Sequence, residues 1–119
     1  MSAIPVAIRG RLSADLAAAR DARRSGDGRR AWVLLEDAHV LSQPWAAWHV
    51  RVHGAMLATG VHLRDVREVW GQIVRLVVAG PGSLIRRYPV GNTGRARVRA
   101  TQPMPIREDL ADLLREVGR

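Results

Sequence analysis

The chain of 119 residues contains no cysteine, no lysine and no phenylalanine. Without thiols there is no disulfide, no thiolate zinc site, no iron–sulfur cluster and no covalently attached c-type haem. A transition metal would have to be held by imidazole and carboxylate, a donor set that suits Zn, Fe, Ni, Cu or Mn better than Cu(I). The missing lysine, beside an abundance of Arg, Ala, Val and Gly, points to coding by a GC-rich bacterial genome and says nothing of function. No apolar run approaches the roughly 20 residues that a membrane span needs. The segment Met1 to Arg9 also lacks a basic region followed by a long apolar stretch, so no secretion signal is evident. A cytoplasmic protein that does not cross a membrane is the expectation.

Acids are missing too, but only locally. Residues 69–107 hold no Asp or Glu, yet carry Arg75, Arg86, Arg87, Arg95, Arg97, Arg99 and Arg107, and the formal net charge is +8. A basic stripe of this kind attracts an acidic protein or nucleic acid. No aromatic residue interleaves with Arg95, Arg97 and Arg99, as a single-strand platform would require, so a solvated surface is the simpler reading. Catalytic signatures are also absent: there is no serine nucleophile elbow, phosphate loop or dinucleotide fingerprint.

What is present reads as one helical domain over residues 1–119, with 47% hydrophobic residues to build a single core. Leu12, Asp15, Leu16, Ala19 and Ala22 give helical spacing over about 8–24, with Ser13 a candidate cap for a later start. Ser25-Gly26-Asp27-Gly28 ends that helix. A second helix over 29–41 carries Ala31, Leu34, Leu35, Ala38 and Leu41. After a break at Ser42-Gln43-Pro44, a third runs over 44–59 with Pro44 in its first turn and Gly60 as its stop. The fourth, over 63–78, carries Val66, Val69, Trp70, Ile73, Val74 and Val77, and Gly80-Pro81-Gly82 is expected to terminate it. Trp32, Trp45, Trp48 and Trp70 read as core and hairpin packing.

Gly26 and Gly60 lie 34 residues apart, the period of tetratricopeptide-like helical hairpins. The predicted fold is therefore all-α: two packed tetratricopeptide-like hairpins over 8–79, an irregular basic strap over 80–106, and a short closing helix over 107–117. Within the strap, 83–87 reads as one helical turn, Tyr88 to Gly94 as a turn-forming run, and 95–106 as extended.

All four histidines fall between residues 39 and 62. Glu36-x-x-His39 is an i,i+3 pair and His49-x-x-x-His53 an i,i+4 pair. Such residues sit about 5–6 Å apart at Cβ on one helix face, so each pair can reach one cation; di-iron bundles use Glu-x-x-His for this reason. In an antiparallel hairpin turning near Gln43, His39 lies about one turn before the break and His49 slightly more than one turn after it. Glu36 and His53 fall on the next layer. Glu36 is the one carboxylate facing that way, too few for a carboxylate-bridged di-metal centre. The prediction is a mononuclear site of Glu36, His39, His49 and His53 holding Zn or Fe, or a site completed across a homodimer.

Four bound donors would close a tetrahedron and favour structure or storage; with Glu36 outside, an open position could activate water. The competing explanation is plain hydrogen bonding, with Glu36 paired to Arg51 and His39 or His49 capping carbonyls near the turn. The functional expectation is a metal-binding protein in metal handling or sensing. The alternative is a non-enzymatic module that binds an acidic protein or nucleic acid through its basic C-terminal surface.

Four motifs then carry a resemblance: Ala31-Trp32-x-x-Leu35-Glu36-x-Ala38-His39-Val40-Leu41-x-Gln43, His49-Val50-Arg51-x-His53-x-x-Met56-Leu57, Pro89-x-Gly91-Asn92-Thr93-Gly94 and Pro103-Met104-Pro105. Together they resemble a family of small bacterial proteins described only as a domain of unknown function, over about residues 10–115. The resemblance implies a compact, mostly helical protein. Glu36, His39, His49 and His53 match its motif positions, whereas His62 does not.

Overall fold

A computed structural model describes residues 3–84, 90–96 and 102–117, with the backbone alone over 78–84. All regular structure among these residues is helical: α1 (Val6–Arg24), α2 (Gly28–Ser42), α3 (Ala46–His62), α4 (Val66–Leu84) and α5 (Glu108–Val117). α1 packs chiefly on α2 and α3 on α4, the two hairpins join through α2 and α3, and α5 closes against α1 and α2. The core is built from Ile8, Leu12 and Ala19 of α1, Trp32, Leu35, Ala38 and Leu41 of α2, Val52 and Met56 of α3, and Leu110 of α5. Each fully buried Ile, Leu, Val or Met side chain among these contributes about 1.5–3 kcal/mol relative to exposure.

The two hairpin turns repeat atom for atom at an offset of 38 residues. Ser25 N donates to Asp21 O, Gly26 N to Arg23 O and Asp27 N to Ala22 O; Leu63 N donates to Thr59 O, Arg64 N to Val61 O and Asp65 N to Gly60 O. Each turn then starts its next helix with an aspartate. Asp27 Oδ1 accepts from Arg30 N, and Asp65 Oδ1 from Glu68 N. The repeat is real, but its register pairs Gly26 with Arg64, not with Gly60 34 residues on. Both turns need a left-handed residue, and the second uses Arg64 at φ 58° where the first uses Gly26 at φ 87°.

Several expected boundaries move. Gly60 does not stop α3, which continues to His62. Its role is close approach: a Cβ there would lie 3.3 Å from the Glu68 side chain and 3.5 Å from Val69 on α4. α3 begins at Ala46, with Pro44 left in the turn and extended Trp45 as its N-terminal boundary. α4 passes through Gly80-Pro81-Gly82 to Leu84. Proline removes one backbone bond, but its fixed φ is helical and the surrounding ladder carries the turn. Ser13 lies inside α1, which Pro5 precedes. Of the residues expected to form a helical turn at 83–87, the first two belong to α4 and the rest fall outside the described residues, as do Tyr88 and Pro89.

The largest departure is the orientation of α4. Trp70, expected to pack in the core or hairpin, is exposed together with Val66, Ile73, Val74 and Val77, whereas Glu68, Gln72 and Arg75 are buried. The buried row has spacings of four and three, so it is one face of the helix. That face meets polar partners across the hairpin.

Candidate metal centre

His39 is placed by α2 near its C-terminal end, and His49 and His53 by successive turns of α3. The break at Gln43-Pro44-Trp45 turns the chain back so that the three rings meet. They are 3%, 6% and 2% exposed respectively. His39 Nε2 lies 3.0 Å from His53 Nε2 and 3.1 Å from His49 Nε2. One ligating nitrogen from each ring lies within 4.8 Å of the other two. Nitrogens about 2.1 Å from a common zinc ion would be roughly 3.0–3.4 Å apart for right-angled to tetrahedral geometry.

The partners of the other ring nitrogens fix the protons. His39 Nδ1 lies 2.5 Å from the backbone oxygen of Asn92, which can only accept. His53 Nδ1 lies 2.6 Å from Gln72 Oε1. The Gln72 amide cannot be reversed, because its nitrogen donates to Glu68 Oε2 at 3.1 Å and to Gly94 O at 2.7 Å. Both imidazoles therefore carry hydrogen on Nδ1, and in the neutral state both Nε2 atoms are bare lone pairs. His49 can donate to His39 Nε2, but no proton is available for the 3.0 Å His39–His53 contact unless one ring becomes cationic. Burial opposes that. Desolvation, followed by the neighbouring His53 and His49, drives the pKa of His39 well below its usual value. Desolvation also lowers His53 to about 4, with the Arg75 charge adding to it and the Gln72 hydrogen bond opposing.

A strap over 90–96 covers the cluster. Gly91 N donates to Gln43 Oε1 at 3.1 Å, and Asn92 Nδ2 donates to Gln102 O at 2.7 Å. Asn92 Oδ1 accepts from Gly94 N at 2.8 Å. Gly94, at φ 81°, lies directly against His39: a Cβ there would sit 2.5 Å from the ring. Arg95 closes the strap. Its Nε donates to Glu68 Oε1, its Nη1 lies 3.4 Å from Glu36 Oε1, and its guanidinium stacks 3.9 Å above Trp32.

Three of the four predicted ligands are thus brought together and one is not. Glu36 lies outside the histidine group and pairs with Arg95, because the strap puts a guanidinium beside it. Arg51, the partner expected for Glu36, stacks on Trp48 at 4.6 Å. His62 is exposed at the end of α3. His39 does reach a backbone carbonyl, but one from the strap and not from the turn. Gln72, Glu68, Asn92 and Gly94 were not singled out for the site. The available signal was the row Glu68, Gln72 and Arg75, three polar residues at spacings of four and three in a mostly apolar helix.

The basic segment is partly spent internally. Arg95 is paired as described, Arg75 is buried, and Arg107 lies 2.9 Å from Asp37 and also pairs with Asp109. Arg86, Arg87, Arg97 and Arg99 fall outside the described residues. No described helix is long and apolar enough to cross a membrane.

Residues 6–114 match the model of a family described as Protein of unknown function (DUF3703), and the chain belongs to that family. No curated protein and no solved structure matches it significantly.

Proposed function

We propose that this protein binds one divalent transition metal ion through Nε2 of His39, His49 and His53, with Zn and Fe as the first candidates. The observation that carries this reading is the pair of bare, buried nitrogens facing each other at 3.0 Å. A cation between them would replace lone-pair repulsion with two coordinate bonds, and His49 Nε2 would supply a third. Gln72 and the Asn92 carbonyl are the orienting partners, holding each ring by its Nδ1–H so that Nε2 points inward. Glu36, the expected fourth donor, serves the strap through Arg95. Three donors leave a fourth position for water or an exogenous ligand.

Full burial under a hydrogen-bonded strap suits retention more than turnover, which favours metal handling or sensing. The proposed setting is the cytoplasm. Metal analysis of protein purified without a histidine tag, combined with thermal melting in Zn(II), Fe(II), Cu(II), Ni(II) and Mn(II), tests the reading. About one equivalent of bound metal is expected. Stabilisation should grow with free metal, reaching about 4 kcal/mol at a thousandfold excess over Kd. Both effects should vanish in His39→Ala and His53→Ala. Protein that neither retains nor is stabilised by any of these ions overturns it.

A further inference from the structure

The 38-residue repeat makes the outer face of α4 interpretable. Under that offset Trp70 corresponds to Trp32 and Ile73 to Leu35. In the first hairpin these positions are covered: Trp32 is 8% exposed and Leu35 is buried in the core. In the second, Trp70 is 65% exposed, and Val66, Ile73, Val74 and Val77 are exposed with it. The five positions follow helical spacing and form one stripe about 16 Å long. Among the described residues no third hairpin follows to cover it.

We infer that this stripe is the contact between two copies of the chain, packed α4 against α4 about a two-fold axis. Three observations select a second copy. The stripe is self-complementary, with Trp70, Ile73 and Val74 at its middle and valines at both ends, so a two-fold axis near its centre pairs apolar with apolar. Its charge permits self-association: between Val66 and Val77 the charged residues are Arg67, Glu68 and Arg75, and the last two are buried on the opposite face. Its area reaches the threshold when the stripe is fully covered: the exposed portions of one tryptophan and four aliphatic side chains amount to at most roughly 500 Å² per copy. Full coverage gives roughly 1,000 Å² over both copies, the lower bound for a specific interface. Trp70 is the residue type that most often dominates such contacts. The inference is independent of metal binding.

Sedimentation velocity of the full chain, run over a wide concentration range with and without Zn(II), tests it. The wild type should sediment as a dimer at tens of micromolar. Trp70→Glu and Val74→Arg should each weaken association by about a hundredfold or more, with helical circular dichroism and melting of the monomer retained. Val6→Glu, at an exposed position on α1, should change nothing. A wild type that stays monomeric at all concentrations overturns the inference. So does a dimer that survives both α4 substitutions. A monomer that instead partitions onto phosphatidylcholine vesicles through Trp70 would assign the face to lipid and overturn it equally.

Discussion

The two hairpins share their turns and differ in what covers them. Asp27 and Asp65 cap in the same way, and the tryptophan five residues after each aspartate sits at the same point of its helix. Trp32 is buried beneath Arg95, whereas Trp70 faces outward. The contrast extends around each helix. α2 buries an apolar stripe together with His39, while α4 buries Glu68, Gln72 and Arg75 and exposes its valines. Apolar periodicity therefore identified both helices but could orient only one. The inward polar face of α4 finds its partners in the histidine cluster and the strap: Gln72 receives His53 Nδ1–H and is itself held by Glu68 and Gly94, and Glu68 accepts from Arg95.

The contrast is broken most severely by truncating the equivalent tryptophans. Trp32→Ala should cost about 3–5 kcal/mol in denaturant unfolding, as a core aromatic does. Trp70→Ala should cost the monomer about 0.5 kcal/mol or less, as exposed sites do. Equal losses would mean that the two faces are not as different as described.

The pH dependence of metal-free protein comes next. The folded-state pKa values of His39 and His53 lie below the unfolded value near 6.5. Between those values the unfolded chain binds more protons, so stability falls as pH drops from about 6.5 towards 4. His53 alone, at about 4, implies a loss of about 3 kcal/mol over that window. Urea titrations at successive pH values should show this slope, and His39→Ala/His53→Ala should flatten it.

The inward face of α4 is tested by Gln72→Leu. Removing the acceptor for His53 Nδ1–H should weaken Zn(II) binding by about 10- to 100-fold in calorimetry. A change on the outer face, Val74→Thr, should leave it unaltered. The smallest effects concern the paired turns. Gly26→Ala forces a Cβ into a left-handed turn and should cost about 1 kcal/mol, although nothing crowds it. Arg64→Gly relieves the same conformation and should gain up to about 1 kcal/mol. Thermal melts with opposite shifts would establish that the two turns are equivalent.

The helical class, the hairpin pairing and the closing helix were legible because 3.6-residue spacing and Gly-Asp turns are local properties. The histidine cluster was legible for the same reason: His49 and His53 share a face whatever surrounds them, and one short break returns His39 to their level. Glu36 shares a face with His39 as well, yet its direction is settled by Arg95, 59 residues away. Gly60 and Gly80-Pro81-Gly82 misled as helix stops. The first serves close packing of α3 on α4, and the second is carried by a helix that continues around it. The strap could not be placed, since Gly91-Asn92-Thr93-Gly94 fixes a backbone shape without naming what it covers.

The central claim rests on proton positions, and long-range ¹H–¹⁵N spectra of the histidine rings read them directly. In metal-free protein near neutral pH, His39 and His53 should both show hydrogen on Nδ1 and a bare Nε2. Adding Zn(II) should then move the Nε2 resonances of His39, His49 and His53 together, saturating at about one equivalent. Hydrogen on Nε2 of His39 or His53 in the metal-free state, or ring nitrogens indifferent to Zn(II), Fe(II) and the other divalent ions, would contradict the account.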